Sequence, residues 1–199
     1  MSYIYLVRHG ETSWNKQKRY QGHSDIALSK QGISKVHGLA RGLKNIKAGD
    51  VYCSQLRRTE QTARILIGRR GLTPHPDARL NEMDFGQWEG KTAEELFALK
   101  DLAFAAFSKG RWVKPPGGES LQAVRRRVAD FWQDCLKRHP GENVMIVSHA
   151  GPIKMILLEA LKLPSKCLFQ LHLDTASLTI LRRYDRYFQL LSFNNTCAL

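Results

Sequence analysis

The chain has 199 residues, 43% hydrophobic and 25% charged, enough for one folded domain with its own core and too apolar for a disordered segment. Lys and Arg outnumber Asp and Glu by 31 to 18, a formal net charge of +13. No zinc-finger spacing, basic heptad helix or aromatic nucleic-acid motif accompanies that excess, so a solvated basic surface or a field that steers anionic substrates is expected ahead of nucleic-acid or anionic-membrane binding.

Tyr3-Ile4-Tyr5-Leu6-Val7 is a short β-branched and aromatic run that predicts a buried strand. It stops at Arg8-His9-Gly10-Glu11-Thr12, followed by Ser13-Trp14-Asn15. In open α/β sheets ligands bind at the carboxyl ends of strands, and Gly10 lets the backbone turn and approach a ligand closely. Residues 13–25 are too polar for core. Gln21-Gly22 within them is either a surface turn or a place for an amide and a backbone N–H beside a ligand. Ser29 to Leu43 predicts a helix with Ser29 as N-cap. Asp50 to Cys53 predicts a second strand ending at Ser54, and a helix runs from about Leu56 to Ile67 with Arg57, Arg58 and Arg64 on it. Arg58, in its first turn, shares a rim with His9 if the two strands are parallel neighbours.

A short strand is expected at Leu72 to His75. The stretch from Arg79 to Gly90 is too polar and glycine-rich for a core element. Thr92 to Phe107 predicts a helix opened by the capping box Thr92-Ala93-Glu94-Glu95. With Trp112 beyond it, this segment has an apolar face that is either core or a lid. Pro115-Pro116-Gly117-Gly118 breaks the chain without dividing it, because the motifs on either side need one site. A single domain over 1–199 is expected, with 92–114 as a helical lid-like insertion. The helix Ser120 to Lys137 carries Val124, Val128, Phe131, Trp132, Cys135 and Leu136 on one stripe, and Arg125, Arg126 and Arg127 as a solvated basic run. Asn143 to Val147 predicts a strand that ends at Ser148-His149-Ala150-Gly151 and opens a helix, Pro152 to Leu161. Ala176 to Arg182 and Tyr187 to Phe193 predict an antiparallel hairpin. The expected fold is a three-layer α/β/α sandwich with a mostly parallel central sheet and that C-terminal hairpin.

Cys53, Cys135, Cys167 and Cys197 form no C-x-x-C pair, so reduced thiols in a cytoplasmic protein are expected. The N-terminus lacks a signal-peptide pattern. The apolar region Val144 to Leu163 is interrupted by His149, Gly151, Pro152, Lys154 and Glu159, so no membrane span is expected. The seven histidines show no H-x-x-x-H or H-x-H spacing, and neither a metal nor another cofactor is expected. A homodimer stays open.

Arg8, His9, Arg58 and His149 gather at strand ends. Arginines hold phosphoryl oxygens in forked geometry, and the helix start at Ala150 adds backbone N–H donors. Each histidine alone reads as a structural imidazole. Two at separate strand ends, with two arginines, point instead to a bound phosphoryl group. His9 is the candidate nucleophile, one ring nitrogen facing the substrate while the other donates to a carbonyl. Arg8, Arg58 and His149 would stabilise charge on the transferring oxygens.

Arg8-His9-Gly10-Glu11-Thr12 with Asn15, Gln21-Gly22, Ser54-Gln55-Leu56-Arg57-Arg58, Leu80-Asn81-Glu82 and Ser148-His149-Ala150-Gly151 follow one another in this order across residues 4–151. Together they resemble the signature of the histidine phosphatase superfamily, which includes the phosphoglycerate mutases. The resemblance implies metal-independent hydrolysis of a small-molecule phosphomonoester. It makes Glu82 the acid that protonates the leaving oxygen and then activates water. It has Gln21-Gly22 close over the phosphate, with Thr12, Asn15 and Gln21 as phosphate-contacting or supporting groups, and it makes Glu11 structural. The short segment after Glu82 lacks the longer insertion of the cofactor-dependent mutases and favours a phosphatase. Leu80 to Glu89 is similar to the matching stretch of α-ribazole phosphatases, which remove a 5′-phosphate in cobalamin assembly. Phe85-Gly86-x-Trp88-Glu89-Gly90 is shared with sugar-phosphate phosphatases. The first similarity implies that Trp88, Phe104, Phe107 or Trp112 lines a wall for a benzimidazole ring, with core packing as the alternative. Leu173-Asp174 and Asn194-Asn195 fit the same pattern. A rival of another class is a basic nucleic-acid-binding protein with a relic phosphate pocket.

Overall fold

The computed structural model describes residues 1–46, 48–68 and 70–196, so the expectation for Cys197 lies outside the described residues. Six strands form one sheet: β1 (Ser2–Arg8), β2 (Asp50–Cys53), β3 (His75–Pro76), β4 (Val144–Ser148), β5 (Leu178–Arg183) and β6 (Phe188–Asn195), in the order β3-β2-β4-β1-β5-β6. The first four are parallel. β5 runs antiparallel to β1, and β6 antiparallel to β5. The helices are α1 (Ser13–Lys16), α2 (Lys30–Gly42), α3 (Arg57–Ile67), α4 (Ala93–Ala98), α5 (Leu102–Phe107), α6 (Leu121–Arg138) and α7 (Ala150–Ala160).

Strand alternation sorts the core onto two faces. Ile4 and Leu6 of β1, with Ile146 of β4, meet Val124, Val128, Phe131 and Trp132 of α6 and Ile153 and Ile156 of α7. Tyr5 and Val7, with Met145 and Val147, meet Val36 and Leu39 of α2 and Ala63, Leu66 and Ile67 of α3. Each fully buried aliphatic or aromatic side chain here contributes roughly 1.5–3 kcal/mol. The expected three layers are thereby formed. Ser29 and Ser120 cap α2 and α6 by accepting from the N–H of Gly32 and Ala123.

Five local expectations are corrected. β1 and β2 are not neighbours, because β4 lies between them and pairs in parallel with both. The short strand forms at His75–Pro76 rather than at Leu72 to His75. The single helix from Thr92 to Phe107 is two helices, α4 and α5. The chain breaks at Lys100, which has φ of 53°, and Asp101 caps a new helix by accepting from Phe104 N–H. Arg79 to Gly90 does contribute core, since Leu80, Met83 and Trp88 are buried. Trp88 can be buried in a polar loop because its indole N–H donates to Asp101 at 2.8 Å. Finally, Arg125, Arg126 and Arg127 are not one solvated run: Arg125 pairs with Glu159 and Arg127 is half-buried against Glu119. Among the described residues no helix is long and apolar enough to cross a membrane.

Candidate active site

The chain leaves β1 toward α2 on one face of the sheet and leaves β4 into α7 on the other. Adjacent parallel strands whose connections depart to opposite faces open a crevice at their carboxyl ends, where ligands bind in such sheets. Arg8 and Ser148 are paired in register, so the residues that follow them, His9 and His149, enter this crevice side by side. Their ring centroids are 5.0 Å apart.

Each imidazole is oriented by its neighbours. Nδ1 of His9 lies 2.7 Å from the carbonyl of Gly10, to which it donates. That leaves Nε2 of a neutral ring with its lone pair free. Gly10 is itself held, its N–H donating to Thr62 Oγ1 at 3.0 Å. Nδ1 of His149 accepts from Arg58 Nε at 3.2 Å, so its proton is on Nε2, 2.8 Å from Ser54 Oγ. Ser54 can accept it, because Ser54 gives its own proton to Thr59 Oγ1 at 2.6 Å while Thr59 donates to the Leu56 carbonyl. Burial, reinforced by the charges of Arg58 and Arg8, holds both imidazoles well below the ordinary histidine value.

The cations come from two elements. Arg8 ends β1, and its Nη1 donates to the Leu173 carbonyl. Arg58, fully buried in the first turn of α3, donates from Nη1 to the Ser24 carbonyl at 2.9 Å and from Nη2 to the Gly22 carbonyl at 2.7 Å. Burial lowers Arg58 to about 10, with the carboxylates of Glu82, Asp25 and Glu89 pulling the other way, so it stays cationic at neutral pH. Two buried side-chain donors here, Arg8 Nε and Gln21 Nε2, have no hydrogen-bond acceptor among the described residues. Buried donors of this kind are costly unless something anionic or polar meets them.

The structure brings together Arg8, His9, Arg58, Glu82 and His149. Glu82 is buried, with Oε1 accepting from Met83 N–H at 2.9 Å and Oε2 from Gly151 N–H at 3.3 Å. Its carboxylate therefore rests on the start of α7, one residue past Ala150, and takes one of the helix N–H groups expected for the ligand. Gly22 fits because a Cβ there would overlap the Glu89 carboxylate and the Met83 carbonyl. Its carbonyl, rather than its N–H, is engaged, by Arg58. Asn15 supports Thr12: its Oδ1 accepts from Thr12 N–H at 3.0 Å and closes the capping box of α1. Gln21 Oε1 lies 2.8 Å from the Thr12 hydroxyl, which aims its amide nitrogen away from that bond. Glu11 accepts from Lys35 Nζ at 3.3 Å. Asp174 and Asn194 bond to each other, N–H to Oδ1 at 2.6 Å and Nδ2 to Oδ2 at 2.8 Å.

Sequence reasoning left Ser54, Thr59, Thr62 and Ser148 without roles. Ser54 and Ser148 lie inside quoted motifs, and a hydroxyl beside a strand-end histidine is the signal that could have found them. Of the aromatics considered for a ring-binding wall, Trp88 and Phe104 are buried in a small cluster with Leu96, and Phe107 packs against it. They are core beneath α4 and α5. A group able to bind a metal, Asp50, His139 and Glu142, has its ligand atoms within 4.8 Å of one another and lies at the opposite strand ends, at the start of β2 and before β4.

Known proteins resemble this chain over nearly its whole length. Over 202 residues the chain is 33% identical to phosphoserine phosphatase 1 of Hydrogenobacter thermophilus, covering 98% of this chain and 93% of that one. It is 34% identical over 180 residues to a Yersinia pestis protein named as a probable phosphoglycerate mutase, covering 90% and 84%. The crystal structure of the α-ribazole phosphatase from Shigella flexneri superposes with a TM-score of 0.91 at 27% identity, covering 99% of this chain and 98% of that one. The family model for the histidine phosphatase superfamily (branch 1) matches residues 4–196. The chain belongs to the histidine phosphatase superfamily, branch 1.

Proposed function

We propose that the protein hydrolyses a phosphomonoester through a phosphohistidine on His9. The observation that carries this reading is the fixed tautomer of His9: with Nδ1 committed to the Gly10 carbonyl, the lone pair of Nε2 is available beside the buried Arg58 and the half-buried Arg8. In the first step Nε2 attacks phosphorus, the phosphorus–oxygen ester bond breaks, and Glu82 supplies the proton that the leaving oxygen needs. Arg8, Arg58 and the amide of Gln21 hold the transferring oxygens. A phosphoryl dianion in the crevice favours the cationic form of His149, whose charge would add to that of the arginines. In the second step water attacks phosphorus, its proton goes to the Glu82 carboxylate, and the phosphorus–nitrogen bond breaks. Positioning and fixed charge do the work that a metal does in other phosphatases. The setting proposed is cytosolic, in keeping with free thiols at Cys53, Cys135 and Cys167.

For the substrate, α-ribazole 5′-phosphate is supported by the Shigella likeness and the Leu80 to Glu89 stretch, and it needs a base-binding surface other than Trp88 and Phe104. A small phosphomonoester carrying a carboxylate, such as phosphoserine, is the second reading. One observation favours it: burial lowers the Lys154 ammonium, on α7 one turn beyond Ala150, and the charges of Glu82 and Arg8 act on it in opposite directions. A half-buried cation whose charge couples to those of Glu82 and Arg8 would be available to a substrate carboxylate. The test is phosphate release, with chelator present, from α-ribazole 5′-phosphate, phosphoserine, 3-phosphoglycerate, fructose 2,6-bisphosphate and an aryl phosphate. Release that survives chelation is expected. Loss with chelator and recovery with a metal ion would sink the metal-free mechanism. No release from any substrate, with steeply salt-dependent duplex DNA binding, would favour the nucleic-acid reading.

A further inference from the structure

The loop that carries Glu82 has little regular structure, two 3-10 turns at Ala78–Leu80 and Gly86–Trp88. A general acid on such a loop needs outside support to hold its geometry. Four consecutive carbonyls of this loop are captured from outside it. Arg127 Nη1 donates to the Arg79 carbonyl at 2.8 Å and to the Asn81 carbonyl at 2.6 Å. Arg127 Nη2 donates to the Glu82 carbonyl at 3.1 Å. The remaining carbonyl, that of Leu80, accepts from Ser148 Oγ at 2.7 Å. Ser148 directly precedes His149, so both sources of support are tied to the core: one through β4, the other through α6.

The guanidinium is itself locked. Glu119 grips it with both carboxylate oxygens, Oε1 to Nε and Oε2 to Nη2, each at 2.8 Å. Both side chains are only 19% exposed, which sets this pair apart from the open surface pairs of the chain. Glu119 is held in turn, its N–H donating to the Asp84 carbonyl at 2.8 Å. A planar fork with five donors can bind a carboxylate on one edge and three carbonyls on the other, and a lysine ammonium cannot.

We infer that Arg127, gripped by Glu119, is a positioning residue that sets the Glu82 carboxylate for proton transfer to the leaving group. The inference rests on the proposed role of Glu82 as proton donor. Among the described residues Arg127 bonds to backbone carbonyls and to Glu119, so it acts through Glu82.

The experiment measures kcat and kcat/KM for the wild type, Glu82→Gln, Arg127→Lys and Glu119→Gln. The substrates are phosphomonoesters whose leaving groups run from p-nitrophenol to simple alkyl alcohols. A nitrophenolate leaves without a proton and an alkoxide does not. Compared in kcat/KM, which reports phosphoryl transfer to His9 and not the later hydrolysis common to all substrates, Glu82→Gln is expected to lose on the order of 10²-fold or more on alkyl esters and only a few-fold on p-nitrophenyl phosphate. Arg127→Lys is expected to tilt the series in the same sense, with about tenfold to 10²-fold loss on alkyl esters, and Glu119→Gln to do so more weakly. If Glu82→Gln tilts the series while Arg127→Lys lowers every substrate equally, or none, Arg127 is structural and the inference falls. If Glu82→Gln itself loses evenly across the series, the proton-donor reading fails and takes the inference with it. Should Arg127→Lys not fold, Glu119→Gln, which loosens the same guanidinium, decides between these outcomes.

Discussion

The carboxylate of Glu82 occupies the space that a side chain at Gly151 would need. A Cβ at 151 would overlap Glu82 Oε1, and the Gly151 N–H donates to Oε2. The glycine two residues after His149 thus makes room for the Glu82 carboxylate, the proposed proton donor. Gly151→Ala should therefore leave the fold intact, since the clash is with the mobile end of a side chain, and should displace Glu82. We expect a kcat loss on alkyl phosphomonoesters of on the order of 10²-fold, with an unchanged circular dichroism spectrum. Full activity in this variant would mean that the carboxylate does not work from this position.

Charge in the crevice also sets a pH dependence. His9 and His149 are held below 6.5 by burial first, then by Arg58 and Arg8. For a base whose folded value is lowered, the unfolded chain binds the extra proton first. The stability associated with the two neutral rings is therefore complete above pH 6.5 and is lost as pH falls below it. Each ring contributes up to about 1.4 kcal/mol per pH unit in that window. Urea unfolding of the wild type and of His149→Asn between pH 5 and pH 7 checks this, and the variant should show the shallower slope. NMR titration of the His9 ring with a midpoint near 6.5 would contradict it.

The unpartnered donors on Arg8 and Gln21, together with Arg58, should make an oxyanion stabilising. Inorganic phosphate or vanadate at about 100 times its Kd is expected to add about 2.7 kcal/mol to the native state. The corresponding rise in Tm should disappear in Arg58→Met. A rise that persists in that variant would place the anion elsewhere, on the general basic surface.

Residues 92–114 offer a direct contrast between core and lid. Phe104 is 1% exposed, edge-on to Trp88 with ring centroids 5.3 Å apart, while Leu102 two residues earlier is 85% exposed. Phe104→Ala should cost about 3–5 kcal/mol, and Leu102→Ala no more than about 0.5 kcal/mol. Equal, small effects on stability with a large effect on KM would assign the segment to substrate closure instead.

These residues also mark what can be read from the chain. The strands, the long helices and the set Arg8, His9, Arg58 and His149 are legible because each is local: an apolar run that stops at a charged residue and a glycine. Sheet order is not local. β4 is far from β1 and β2 in sequence and inserts between them through long-range pairing, so His9 and Arg58 share a rim without their strands touching. Arg127 shows a finer limit. Composition placed it with Arg125 and Arg126, yet it stands three residues after Val124 and four before Phe131, on the flank of the buried stripe. Helical phase could have separated it, but its carbonyl partners on the Glu82 loop could not be foreseen. Trp88 was hidden for a related reason, because its hydrogen bond to Asp101 comes from a neighbouring helix start.

The central claim is that phosphorus is transferred to His9. The most direct measurement is rapid quenching of wild-type protein and His9→Ala with an aryl phosphate, followed by digestion and mass analysis under conditions that preserve phosphoramidates. One phosphoryl group on the peptide containing His9, formed as fast as turnover requires and absent from His9→Ala along with turnover, is the predicted result. Near-normal turnover in His9→Ala, or a phosphoryl group on another residue, would contradict it.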